Sequence, residues 1–231
     1  MGPLLARASL LTPIPFIRYL ALPRHLQERG ILIDGALGAL WHDISEFEDA
    51  LTLADYCDSQ RIKIGPAPPL NPMVIGAGMQ HDTMFIRWKQ LATRHAAVTL
   101  YNFEERRGSL GALVGQCSEL KDHWDRAAFR NAGQIFRAAF PDHDVVRTSV
   151  AHGDRDKTMA EREKWSLPGT SHIVRIQNDR TLSAFSNGKP VSVSLTGDGL
   201  EALRQVAEQV FRSFVPIAEY TAGLAQSATR E

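Results

Sequence analysis

Prolines 66, 68, 69 and 72, in the stretch "IKIGPAPPLNPMVIGAGM", limit what this chain can fold into more than any other feature. Each removes a backbone donor and fixes φ, so the stretch reads as a connecting loop and neither a helix nor a central strand passes through it. On both sides the sequence carries the period of a helix. In "DGALGALWHDISEFEDALTLADYCDSQ" the residues Leu37, Leu40, Trp41, Ile44, Phe47, Leu51 and Ala54 recur at three- and four-residue steps, one buried face of a long amphipathic helix. From about residue 82 to 107, "DTMFIRWKQLATRHAAVTLYNFEERR" repeats the pattern through Phe85, Trp88, Leu91, Ala92, His95, Val98, Thr99, Leu100 and Phe103. Two long helices joined by a proline-rich loop are therefore expected.

After Gly108, "SLGALVGQCSEL" reads as a short helix, and "DHWDRAAFRNAGQIFRAAF" as a longer one burying Trp124, Ala128, Ala132, Ile135 and Phe136. Pro141 stops that helix and suits the first turn of the next, where Asp142 and Asp144 complement the positive end of the dipole. "PDHDVVRTSVAHG" is thus a short helix with Gly153 as its stop. The tail differs in kind. "HIVRIQNDRTLSAFSNGKPVSVSL" alternates apolar and polar residues around "NG" at 187–188, a strong hairpin signal, and Asn178 with Asp179 offers a second turn. "TGDGLEALRQVAEQVFRSFV" then returns to helical spacing behind polar capping residues. The reading is a mainly α fold: an N-terminal arm over 1–30, a helical bundle over 31–155, a charged connector over 156–172, and a β-hairpin or three-stranded sheet with a closing helix over 173–222.

Function classes are narrowed mostly by what is missing. Lys and Arg number 26 and so do Asp and Glu, so the basic excess of a constitutive nucleic-acid coat protein is absent. Cys57 and Cys117 lie far apart without CxxC spacing, which fits a reducing cytoplasm better than a disulfide framework or a zinc site. Prolines 13, 15 and 23 interrupt the apolar N-terminus before it reaches the roughly 18 residues of a spanning helix, so no membrane segment is expected. "GALGAL" and "IGAGM" lack the spacing of phosphate loops, no HExxH occurs, and no serine sits in GxSxG. Nothing calls for a metal or another cofactor.

Arg147 and His152, in "DHDVVRTSVAHGD", remain. Taken alone they read as an arginine pairing with Asp142 or Asp144 and a histidine near a helix C-terminus, where its charge is welcome. Five residues of helix separate their directions by about 140°, so they face one site only at a distorted terminus or across an interface.

"VVRTSVAHG" resembles the signature of the HEPN superfamily, the higher-eukaryote and prokaryote nucleotide-binding domains, in which an Arg and a His four to six residues apart lie on a late helix. "WKQLATRHAAVTLYNF" at 88–103, "FRNAGQIFRAAFPDHDVVRTSVAHG" at 129–153 and "FSNGKPVSVSL" at 185–195 are similar to a bacterial uncharacterised HEPN-like group, so the likeness spans most of residues 35–215. The resemblance implies an α-helical bundle that forms a homodimer and cleaves RNA without a metal, in a toxin or phage-defence setting with an antitoxin-type or signalling partner. It implies Arg147 and His152 as the catalytic pair. The residue types suit attack by a ribose 2′-hydroxyl: an imidazole titrating near neutrality moves the proton, and a permanently charged guanidinium holds the phosphorane. Arg94, His95, Tyr101 and Thr148 are the secondary candidates for contacting substrate, Arg94 and Tyr101 being two turns apart on one helix face. Tyr101 and Trp88 also read as ordinary core residues at helical spacing. The position after the motif arginine is commonly Asn, Asp or His in the superfamily and is Thr148 here. That departure keeps a second reading in view, a noncatalytic HEPN-like RNA-binding or dimerisation module.

Overall fold

A computed structural model describes residues 13–64, 75–152, 175–176, 180–186 and 189–228. The chain is mainly helical. After a 3-10 turn at Tyr19–Ala21 come α1 (Arg24–Ile64), α2 (Ile75–Gly115), α3 (Ser118–Lys121), α4 (Arg126–Ala139) and α5 (His143–His152). Three strands follow, β1 (Arg175–Ile176), β2 (Thr181–Ser186) and β3 (Lys189–Ser194), and α6 (Gly197–Ala228) closes the chain. No helix among the described residues is long and apolar enough to cross a membrane.

Both long helices exceed their expected lengths. α1 starts at Arg24, inside the stretch read as an arm, and α2 starts at Ile75 instead of about residue 82. α2 also continues through Gly108, so only Ser118–Lys121 forms a separate short helix. A glycine inside a helix costs about 1 kcal/mol, and burial of Leu110 and Val114 beyond it offsets that cost. Prolines 66, 68, 69 and 72 of the connecting stretch, and the charged connector, lie outside the described residues.

Two compact units are present, one of Met1–Ile44, Phe103–Ala139 and Glu201–Glu231, the other of Ser45–Asn102 and Phe140–Leu200. In the first, Ile33, Leu37 and Leu40 of α1 are fully buried, as are Leu110, Phe136, Phe211 and Phe214. Each such side chain contributes about 1.5–3 kcal/mol. Phe103 and Phe136 stack at 6.0 Å, and Trp124 meets Phe129 edge-on at 4.9 Å. Asp125 caps α4, its Oδ1 accepting from the Ala127 and Ala128 N–H groups at 3.0 Å. Its own N–H donates to the Ser213 carbonyl at 3.2 Å. That carbonyl lies one turn before Pro216, inside α6, where the missing proline N–H and its ring loosen the helical ladder. Arg107 is buried, donates twice to Glu104 at 2.6 Å, and lies over the Phe129 ring at 5.1 Å.

In the second unit α1 and α2 pair antiparallel through Phe47, Leu51, Ala54, Phe85, Ala92, Ala96 and Leu100. Trp88 is 41% exposed, and in the first unit Trp41 is 46% exposed, which corrects their assignment to the core. Trp41 is one residue, about 100° of helix, from the buried Leu40, far enough to leave the inner stripe. The sheet is antiparallel in the order β1-β2-β3, and Ser186 pairs with Lys189; the expected turn residues Asn187 and Gly188, with Asn178 and Asp179, lie outside the described residues. Leu182 and Val193 pair on its buried face. Asp142, just before α5, accepts from the Ser192 N–H at 3.1 Å and ties the helix start to β3.

Candidate functional site

α5 carries the motif. Pro141 disfavours helical geometry at Phe140, so α4 ends at Ala139 and a new helix begins at His143 with Asp144 in its first turn. Val146 is fully buried and fixes the rotation of α5, which leaves the next residue, Arg147, half-buried.

The Arg147 guanidinium lies over the ring of Tyr101 in α2, 4.3 Å from its centroid. Its Nε is buried and has no hydrogen-bond partner. Among the described residues neither Asp142 nor Asp144 pairs with it, so the plain ion-pair reading of this arginine is not what the structure contains. A desolvated cation on an aromatic face gains about 2 kcal/mol and keeps its charge available to an anion. A buried N–H with no acceptor costs about 1–3 kcal/mol.

Arg94 is exposed two turns before Tyr101 on the same face of α2, about 10 Å along the axis. His95 is also exposed, and its Nε2 lies 3.8 Å from Glu46 Oε2, directed to α1 and not to Arg147. Thr148 and His152 belong to α5, with His152 its last residue, and their side chains lie outside the described residues. Of the six candidates, then, Arg147 and Tyr101 are brought into contact.

Sequence reasoning missed a cluster of opposite charges in the same unit. Lys89 Nζ donates to both carboxylate oxygens of Asp58, at 2.8 and 2.9 Å. Arg180 donates to Asp58 Oδ2 at 3.1 Å and pairs with Asp55 as well. Burial pushes the Asp58 carboxyl up, but the hydrogen bonds from Lys89 and Arg180 outweigh it and hold the group below the usual carboxylate range. Burial lowers the Arg180 guanidinium, and Asp55 and Asp58 more than reverse that. Arg180 has φ of 62°, a left-handed conformation that costs a non-glycine residue about 1–3 kcal/mol. The two ion pairs stabilise that backbone and fasten the start of β2 to α1. The Asp55 and Asp58 spacing is visible in sequence, but a partner more than a hundred residues away is not. Among the described residues no three His, Cys, Asp or Glu side chains gather for a metal ion. No protein-family model, curated protein or solved structure matches the chain.

Proposed function

We propose that this chain is a HEPN-like, metal-independent endoribonuclease that works as a homodimer, with Arg147 and His152 as its catalytic residues. The observation that carries the reading is the Arg147 guanidinium, seated on Tyr101 with a buried, unused Nε donor. Such a group is pre-organised for a phosphate, because its position is fixed before the anion arrives and little reorganisation remains. His152 is the proton carrier: as base it takes the proton of the ribose 2′-hydroxyl while that oxygen attacks the adjacent phosphorus. The 5′-oxygen leaves with a proton taken from water, and a 2′,3′-cyclic phosphate remains. Arg147 neutralises the extra charge on the phosphorane. Arg94 extends the cationic path along α2 toward a neighbouring phosphate.

Thr148 favours a second reading, because a residue without an ionisable group follows the motif arginine. In that reading the same guanidinium holds an RNA phosphate without cleaving the chain. Labelled RNA incubated in EDTA with wild-type protein, Arg147→Ala and His152→Ala separates the two. Cleavage by the wild type alone is the nuclease result. Binding without cleavage, weakened by Arg147→Ala and untouched by His152→Ala, is the noncatalytic result. Identical behaviour of all three proteins, with neither binding nor cleavage, refutes both.

A further inference from the structure

The fully buried side chain of Val146 sets the rotation of α5. Measured around the axis from Val146 at 100° per residue, His143 stands at about 60° and Arg147 at about 100° on the same flank, while Asp144 stands at about 160°. Burial agrees with the wheel: His143 and Arg147 are half-buried, and Asp144 is exposed. Residues four apart on a helix are neighbours, with about 5–6 Å between Cβ atoms. A long helical side chain also leans toward the N-terminus of its helix, which carries the Arg147 guanidinium over the turn that begins at His143. The imidazole is oriented by one of its nitrogens. Nδ1 of His143 lies 2.9 Å from the carbonyl oxygen of Phe140, a buried residue at the corner between α4 and α5. A carbonyl oxygen only accepts, so Nδ1 carries a hydrogen and donates it. Proton exchange is thereby left to Nε2, on the far side of a ring whose orientation is already set.

We infer that His143 is a further catalytic residue, the acid that protonates the leaving 5′-oxygen at the phosphate held by Arg147. The inference rests on the ribonuclease reading of this site and deepens it. As the 2′-oxygen bonds to phosphorus and His152 takes its proton, the bond from phosphorus to the 5′-oxygen breaks, and that oxygen takes the proton of His143 Nε2. Water then reprotonates Nε2, and His152 returns its own proton to water, so no proton is gained or lost over the cycle. Water is the source of the leaving group's proton, and His143 is the group that delivers it.

His143→Asn is the test, because the asparagine amide donates to the Phe140 carbonyl from near the Nδ1 position but has no proton to give at the Nε2 position. Cleavage in EDTA is followed on two strands that each hold one ribonucleotide, one with the ordinary bridging 5′-oxygen at the scissile phosphate and one with sulfur in its place. An alkoxide needs a proton in order to leave, and a thiolate does not. His143→Asn is expected to lose roughly 100-fold or more on the oxygen linkage and to stay within about threefold of wild type on the sulfur linkage. His152→Ala is expected to lose on both, since the 2′-hydroxyl still needs a base. Retained cleavage of the sulfur strand shows that the asparagine variant folds and binds RNA. Wild-type cleavage of the oxygen strand by His143→Asn overturns the inference and leaves the nuclease reading standing. Equal losses on the two linkages overturn it too, assigning His143 to binding or folding alone. A wild type that cleaves neither strand overturns the nuclease reading, and the inference with it.

Discussion

Replacing Tyr101 by leucine tests whether the ring acts as the seat of the Arg147 guanidinium. The ring centroid lies 4.3 Å from the guanidinium carbon, and both residues are half-buried. A contact of that geometry out of bulk water supplies about 1–2 kcal/mol. Leucine fills part of the volume but offers no quadrupole, so the guanidinium regains rotamer freedom that phosphate binding must then remove. If the whole contact is expressed in binding, the dissociation constant rises roughly five- to thirtyfold. Tyr101→Phe keeps the ring and is expected to stay within about twofold of wild type. The assay is fluorescence anisotropy with a single-stranded 2′-O-methyl RNA, which lacks the attacking hydroxyl and so reports binding whether or not the protein cleaves. It is run in EDTA, with thermal melts of each variant alongside. Two results refute the reasoning. Wild-type affinity in Tyr101→Leu shows that the ring does not organise the arginine for a phosphate, and equal losses in the leucine and phenylalanine variants place the effect in the phenolic hydroxyl.

Two further predictions concern stability. Asp58 is ionised more readily in the folded chain than in the unfolded one, so its stabilising contribution is present above the unfolded carboxylate pKa of about 3.9 and fades as pH falls through the lower folded value. Asp58→Asn should lower stability near neutrality by about 1 kcal/mol, a figure kept small because the carboxylate is 30% exposed, and urea titrations should show the deficit shrinking below pH 4. Gly30→Ala should destabilise by about 1–3 kcal/mol although alanine is the better helix former, because a Cβ there meets Tyr19 Cβ at 2.7 Å and Leu22 Cδ1 at 2.9 Å. A raised melting temperature for that variant would show that the 3-10 turn yields freely.

Much of the fold was legible because helical burial is a periodic property. Leu37, Leu40, Ile44, Phe47, Leu51 and Ala54 repeat on one face, and all six are buried. The hairpin was legible because an Asn-Gly pair between alternating runs fixes both turn and register, as the pairing of Ser186 with Lys189 reflects. The misreadings share one cause. Gly108 is a weak breaker on local propensity alone, and burial of Leu110 and Val114 carried the helix through it. Trp41 and Trp88 fall at the margin of their helical stripes, where periodicity does not separate a core residue from a surface one. At the site, Tyr101 and Arg147 were both singled out, but their contact joins two helices and leaves no trace in local spacing. The Asp55, Asp58, Lys89 and Arg180 cluster was illegible for the same reason.

The spacing of Arg147 and His152 on α5 leads to one more test. Both residues belong to a single helix that ends at His152. Five residues of an ideal helix advance the axis by about 7.5 Å and turn it by about 140°, a spacing that suits two different clefts better than one. On the proposed homodimeric reading, one copy would supply the arginine of one cleft and the histidine of another, and a complete site would draw one residue from each protomer across the two-fold. Mixing inactive Arg147→Ala chains with inactive His152→Ala chains should then restore cleavage. Random reassociation makes about half of the dimers mixed, and each mixed dimer holds one intact site of two, so activity should return to roughly a quarter of wild type. Subunit exchange at low micromolar concentration followed by an RNA cleavage assay in EDTA reads this directly. If each protomer instead uses its own Arg147 with its own His152, every mixed dimer lacks one partner at both sites and activity stays at the background of the separate variants. That outcome, obtained with exchange verified by mass-tagged chains, would place the catalytic pair within one protomer and require α5 to bend at its end.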